Sequence, residues 1–190
     1  WALDPHQDMT TRLRWTGDQG PVGDVEYRRR FERGDFSILG SITQSDRIKT
    51  DLENEYVQED RLRGHIESKL NYHIDNNWRT GFDIFKASDD QYARLYDYSS
   101  EKVFENRVFL EGFHDRNFTS AEMFYFQDVR LGERRDQPSV LPYLRHNGYG
   151  DPGEWLGGRW HVDASFLGLD RDDGQDVSRL SLLTDWQRQF

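Results

Sequence analysis

Leu62 to Ser88, LRGHIESKLNYHIDNNWRTGFDIFKAS, decides the fold, because its side chains divide by strict alternation. The even positions Leu62, Gly64, Ile66, Ser68, Leu70, Tyr72 and Ile74 are apolar or small. The odd ones are Arg63, His65, Glu67, Lys69, Asn71 and His73. After the polar turn Asp75-Asn76-Asn77 the pattern resumes, with Trp78, Thr80, Phe82 and Ile84 against Arg79, Gly81, Asp83 and Phe85. A period of two predicts a β-hairpin with one apolar and one charged face. A soluble sandwich alternates in the same way, so strand length and loop pattern must choose between core and lipid.

Composition narrows the choice. The 190 residues carry a formal net charge of -10, and mean hydropathy is -0.96, yet aromatics reach 14%. Disordered chains are poor in aromatic and β-branched residues, so this chain is expected to fold. No apolar run approaches the roughly 18 residues of a membrane-spanning helix, and any membrane contact must be made by strands. Cysteine is absent, which excludes disulfides, thiol nucleophiles and thiolate metal sites. The acidic balance argues against a nucleic-acid partner, for which a basic face is the usual footprint. The chain starts at Trp1 with neither initiator Met nor signal peptide, as expected of a mature piece or an excised segment.

Outward from the hairpin, the same period recurs. Met9 to Thr16 forms a first strand and Val25 to Glu32 a second, with Arg29 intruding on its apolar side, and Phe36 to Ile42 begins a third. Beyond the hairpin, Val103 to His114, Phe118 to Leu131, Arg159 to Gly168 and the stretch from Leu180 to near Phe190 follow, giving about nine long strands. Phe118 to Leu131 carries aromatics on both faces, so its lipid side stays open. Connections are expected at 17–23, 33–35, 45–60, 75–77, 89–101, 115–117, 132–157 and 171–175, with one helical turn around Tyr92 to Tyr96. They alternate in length. In an up-and-down meander alternate connections share an end of the sheet, so short turns gather at one end and long loops at the other. Outer-membrane barrels are built that way, and strands of about ten residues match their crossing length.

The fold class that follows is all-β, an antiparallel up-and-down meander forming a segment of a large transmembrane β-barrel. Two alternatives stay open: another porin or receptor barrel, and a soluble β-sandwich binding domain. On the barrel reading Arg63, His65, Glu67, Lys69, Asn71, Arg159, His161 and Asp163 face the lumen. Ile66, Leu70, Tyr72, Trp78, Phe82, Ile84, Trp160, Val162 and Phe166 face lipid. An eight-stranded interior is filled by side chains, whereas this row needs water or partners. The charged row therefore predicts a wide lumen and many strands, of which this chain is an arc.

Signals for chemistry are weak. His161 and Asp163 share a strand face, as half of a metal or acid-base pair would, but a polar lumen pair is the simpler reading. Asp170, Asp172, Gly174 and Asp176 resemble a calcium loop with the glycine one position early, and a hairpin turn explains them better. Neither Gly-x-Ser-x-Gly nor His-Glu-x-x-His occurs. Arg12, Arg14, Arg28 and Arg30 either bind lipid phosphate or pair with Glu26 and Glu32, the latter being the simpler. Trp15, Trp78, Trp160 and Trp186 suit interfacial girdles or core packing equally. No enzyme activity and no cofactor are expected.

The segments Trp1-Ala2-Leu3-Asp4-Pro5, Asp8-Met9-Thr10, Gly23-Asp24-Val25-Glu26-Tyr27-Arg28, Trp78-Arg79-Thr80-Gly81-Phe82-Asp83 and Arg107-Val108-Phe109-Leu110-Glu111-Gly112-Phe113 resemble the barrel of the LptD family, the LPS-assembly or organic-solvent-tolerance proteins. The resemblance runs over essentially the whole chain. It implies lipopolysaccharide transport and assembly at the Gram-negative cell outer membrane, with an LptE-like plug lipoprotein in the lumen and periplasmic LPS-bridge proteins delivering the lipid. It further implies that residues 1–190 are the first strands of a partial outer-membrane β-barrel domain, with a periplasmic jelly-roll domain and later strands absent. Met9 to Thr16 would border the seam through which lipid leaves. Prolines that weaken seam pairing in some relatives are missing from this stretch, so no single gate residue is carried over.

Overall fold

The computed structural model describes residues 1–17, 20–51, 54–130, 137–151, 157–172 and 174–188, with only the backbone for 47–51 and 54–60. Expectations that fall on 131–136, 152–156, 173 and 189–190 lie outside the described residues. The described residues are all-β apart from one helical turn. Eleven strands follow in chain order: β1 (Ala2–Asp4), β2 (Gln7–Trp15), β3 (Pro21–Phe31), β4 (Gly34–Asp51), β5 (Asn54–His73), β6 (Trp78–Ala87), β7 (Val103–His114), β8 (Asn117–Asp128), β9 (Ser139–Gly150), β10 (Arg159–Asp170) and β11 (Val177–Gln187). Each hydrogen-bonds to its sequence neighbours in one sheet, in the order β1 to β11, so the predicted meander stands.

The strand count is eleven rather than nine. One addition is the short β1, which pairs with the start of β2 through Ala2 and Asp8. The other is β9, inside a stretch that the prolines made look like a loop. Pro142 lacks the N–H that a ladder needs, and it sits where the register slips against both β8 and β10. The slip brings the Leu141 carbonyl so close to Gly168 that a Cβ there would lie 2.5 Å from it, so the facing strand carries glycine.

The charged run 45–60, expected as a long loop, is also strand. β4 continues to Asp51 and β5 begins at Asn54. Backbone hydrogen bonding between β4 and β5 does not depend on alternating side chains, so a run without period still pairs.

Inserting β9 changes which connections share an end. The tight turns at 32–33, 74–77 and 115–116 lie at one end, together with 151–158. The turn at 171–176, expected among them, falls instead with 16–20, 88–102 and 129–138 at the other. The expected sorting of short turns from long connections is therefore incomplete: 88–102 keeps to the far end, but 151–158 joins the tight turns and 16–20 and 171–176 do not.

The meander divides into two compact units. Trp1–Asn71, Phe82–Asn106 and Phe126–Gln137 form one, and Tyr72–Gly81, Arg107–Tyr125 and Pro138–Phe190 form the other. Among the described residues, the buried apolar cluster is small and lies wholly in the first unit: Val22, Ala87, Tyr92, Ala93, Tyr96, Phe104 and Val129. The turn α1 (Tyr92–Leu95), close to the predicted Tyr92 to Tyr96, supplies much of it. In the second unit indoles lie against glycines of neighbouring strands. A Cβ on Gly112 would meet the Trp78 ring at 2.7 Å, and one on Gly150 would meet Trp160 at 2.0 Å. Glycine and tryptophan thus occupy one site jointly, as in aromatic rescue of strand glycines.

Gly64 offers a direct test of packing in the first unit. A Cβ there would lie 2.4 Å from the Ser41 carbonyl oxygen, a backbone atom of the neighbouring strand that has little freedom to move. Gly64→Ala is expected to lower stability by about 1–3 kcal/mol. Gly23→Ala, whose Cβ has nothing nearer than 4.0 Å, is the control. Urea midpoints of the full-length protein in detergent measure both.

Candidate functional site

The register assigns side chains to faces strand by strand. Arg12 opposite Asp24, Arg14 opposite Val22 and Asp8 opposite Arg28 share one face of β2 and β3, while Thr11 with Val25 and Leu13 with Gly23 share the other. Asp24 pairs with Ser41, and Ser41 Oγ hydrogen-bonds to His65 Nδ1, which extends the first face across β4 to β5. This ionic face is internally paired. Arg14 Nε donates to Asp24 at 3.2 Å, Arg28 Nη2 lies 3.0 Å from Asp8, and Arg12 lies 3.7 Å from Glu26. Arg12 and Arg28 reach the expected Glu26, at 3.7 and 3.8 Å, but Arg14 pairs with Asp24 and Arg28 lies nearer to Asp8, partners that the sequence reading did not name.

Over this face folds the connection 88–102, and the reason is in its sequence. Asp89 accepts backbone N–H bonds from Gln91 and Tyr92, both 3.0 Å, so it closes the turn that leads into α1. The turn then aims three tyrosines at the sheet. Tyr92 O–H meets Ser41 Oγ at 2.7 Å and Tyr96 O–H donates to Ser45 Oγ at 2.9 Å. Tyr98 O–H donates to Asp24, and its ring lies 3.8 Å, centroid to centroid, from that of His65.

The same segment supplies the counter-ion for the most buried charge. Arg63 and Asp89 side chains are each 2% exposed, and they pair bidentately: Nε to Oδ2 at 2.9 Å and Nη2 to Oδ1 at 2.8 Å. Arg63 Nη1 also donates to the Asp46 carbonyl at 2.8 Å. Burial opposes the charge on Asp89, but the hydrogen bonds and charge of Arg63, with the Gln91 N–H and the Ser88 hydroxyl, outweigh it and hold the carboxyl below its ordinary range. Burial first, then the Asp24 hydrogen bond, raises the Tyr98 phenol and keeps it protonated as a donor.

The predicted row on β5 is therefore graded along its length. Arg63 and His65 are buried beneath 88–102, Glu67 is half-buried and bonded to Lys69 at 3.0 Å, and Lys69 and Asn71 are exposed. In the second unit, Glu111 accepts from Arg79 at 2.6 Å and from Arg107 at 2.7 Å, and Arg107 reaches Glu122 at 2.8 Å. Glu122 and Phe124 thereby lie on the Arg107 side, and Met123 and Tyr125 are exposed on the other, which orients the strand left open above. His161 and Asp163 are joined by Asn147, at 3.1 and 3.0 Å. His161 also lies 3.6 Å from Asp185. Arg159 is exposed. Among the described residues no group of His, Asp and Glu could hold a metal ion. In the 171–176 turn, Asp176 accepts the Arg171 N–H at 3.2 Å.

The opposite face is apolar and open. In the first unit Leu13 is 80% exposed, Trp15 76%, Leu62 69% and Ile66 41%. In the second Leu182 is 68% and Trp186 51% exposed, and Tyr72 and Trp78 are also exposed. Leu70, Phe82, Ile84, Trp160, Val162 and Phe166 are half-buried among neighbours on that face, as in the edge contact between Phe82 and Phe36 at 6.4 Å. So continuous an apolar exposure is foreign to a water-facing surface.

Sequence reasoning did not assign Asp89, Tyr92, Tyr96 and Tyr98 to a site. Their signal was present, a capping carboxylate followed by three tyrosines in seven residues, but nothing local says which face they cover.

No curated protein matches the chain. A family model described as LPS transport system D, LptD, matches residues 61–190, from the ionic row of β5 through β11. With more than half of its length so matched, this chain belongs to the LptD family of lipopolysaccharide transport proteins.

Proposed function

We propose that the chain is a run of outer-membrane barrel wall that takes part in moving lipopolysaccharide to the cell surface. The observation that carries this reading is the separation of the two faces. Charges pair with one another on one side, while large apolar side chains on the other have no second layer of sheet among the described residues. Strands β3 and β7 to β11, each of 11 or 12 residues, suit a tilted crossing of the hydrocarbon. Trp78, Trp160 and Trp186, at the tight-turn end, suit one interfacial girdle, and Trp15 suits the other.

On this reading Arg63, His65, Glu67, Lys69, Asn71, Arg159, His161 and Asp163 belong to the inner wall. Ile66, Leu70, Tyr72, Trp78, Phe82, Ile84, Trp160, Val162 and Phe166 belong to the lipid side. The inner wall would contact hydrated sugar and an LptE-like plug lipoprotein, with periplasmic bridge proteins supplying the lipid. β4 and β5, of 18 and 20 residues, exceed the roughly 9–11 residues of a crossing, so their ribbon projects past the bilayer at the end away from the tight turns. Acyl chains would leave beside β2.

The test is photo-crosslinking of lipopolysaccharide in cells from single positions along Met9 to Thr16, compared with positions along Val103 to His114. Labelling concentrated on the first set is expected. Equal labelling of both sets removes the seam from β2, and no labelling at either removes the transport reading.

A further inference from the structure

The connection 88–102 joins parts of the sheet that are not neighbours. At its root the Arg63–Asp89 pair fixes it to β5, and Ser88 N–H donates to the Gly64 carbonyl at 2.9 Å. Its middle crosses β4 through Ser41 and Ser45. Its tip reaches β2 and β3. Arg14 Nη2 donates to the Tyr98 hydroxyl at 2.6 Å, Arg14 Nη1 to the Tyr96 carbonyl at 3.5 Å, and the Tyr98 hydroxyl in turn donates to Asp24. The Arg14 guanidinium also lies 5.0 Å above the Tyr98 ring.

Root and tip differ in kind. The root is an ion pair sealed from water, whereas Arg14 at the tip is 38% exposed and is held by polar contacts with the loop. Next to the tip lie β2, with a nine-residue ladder to β3, and the three-residue β1. Short ladders with few buried apolar contacts are the parts of a sheet that open most readily.

We propose that residues 88–102 form a tether in which Arg14, Asp24 and Tyr98 clamp β2 and β3 to the wall made by β4 to β6. With the clamp closed, β2 and β3 move together with that wall. Arg14 and Tyr98 are positioning residues. Their importance for transport rests on the reading of β2 as seam-bordering, but the clamp itself does not.

Hydrogen exchange of the full-length protein in detergent tests it, read by mass spectrometry on peptides covering 7–31 and 103–128. Tyr98→Phe keeps the ring against His65 and removes only the hydroxyl. Exchange across 7–31 is expected to accelerate about tenfold, the size of a lost charge-assisted hydrogen bond, while 103–128 keeps its rate. Arg14→Gln should act alike, and the double variant should add little to either, because the two act as one unit. Wild-type rates over 7–31 in both single variants overturn the proposal, as does acceleration shared equally with 103–128. Lipopolysaccharide labelling of the wild-type protein keeps the two readings separate. Background labelling at β2 sinks the seam and leaves the clamp to the exchange result, whereas strong labelling with unchanged exchange sinks the clamp alone.

Discussion

Asp89→Ala is expected to destabilise the protein by about 3–5 kcal/mol, the usual cost of leaving one member of a buried ion pair without its partner. Arg63 would keep its place at 2% exposure with only the Asp46 carbonyl and Ser45 as acceptors, and the turn leading into α1 would lose its acceptor. Replacing both partners, as in Arg63→Met with Asp89→Ala, should recover much of the loss, since no buried charge remains. The urea midpoint of the full-length protein in detergent reads both. A double variant no better than Asp89→Ala would mean that the Asp89 turn and not the charge is what the segment needs.

The same pair predicts an acid response. The folded-state pKa of Asp89 lies below the unfolded one, so its contribution is fully present above the unfolded value of about 4 and is lost as pH falls through the lower, folded value. Asp89→Asn should therefore lower stability at neutral pH and narrow its gap to wild type in acid. A gap of constant size from neutral pH to the acid limb would refute the assignment.

Ile66→Arg and Leu182→Arg should each block assembly into the membrane, at roughly 2–4 kcal/mol for a charge near the bilayer midplane. Lys69→Arg and Asn71→Arg, on the opposite face, should assemble normally. This contrast is strong because the sign changes with the solvent. Ile66 is 41% and Leu182 68% exposed, so in water an arginine at either would be neutral or would aid solubility. Heat-modifiable migration of the assembled protein from outer membranes measures the outcome. Normal assembly of all four variants would return the soluble sandwich to first place.

How the loops behaved in the two readings shows where sequence reasoning ran short. Residues 45–60 lacked a period and looked like a loop, yet β4 runs to Asp51 and β5 starts at Asn54, since backbone pairing does not require side chains to alternate. Pro142 made 132–157 look irregular, but one proline at a bulge leaves the rest of β9 free to pair. That omission then moved the 171–176 turn to the wrong end of the sheet, because every strand added to a meander reverses the direction of the next.

By itself the sequence determined nine of the eleven strands, the two faces of most of them and the family, because period-two alternation is local and each residue carries it independently of the others. Only the tertiary structure decided what lies against those faces. Nothing near Asp89 identifies Arg63 as its counter-ion, 26 residues away, or Tyr98 as the link to Arg14, 84 residues away. Such contacts are set by the register of five consecutive strands together, and a chain read one stretch at a time contains no record of that sum.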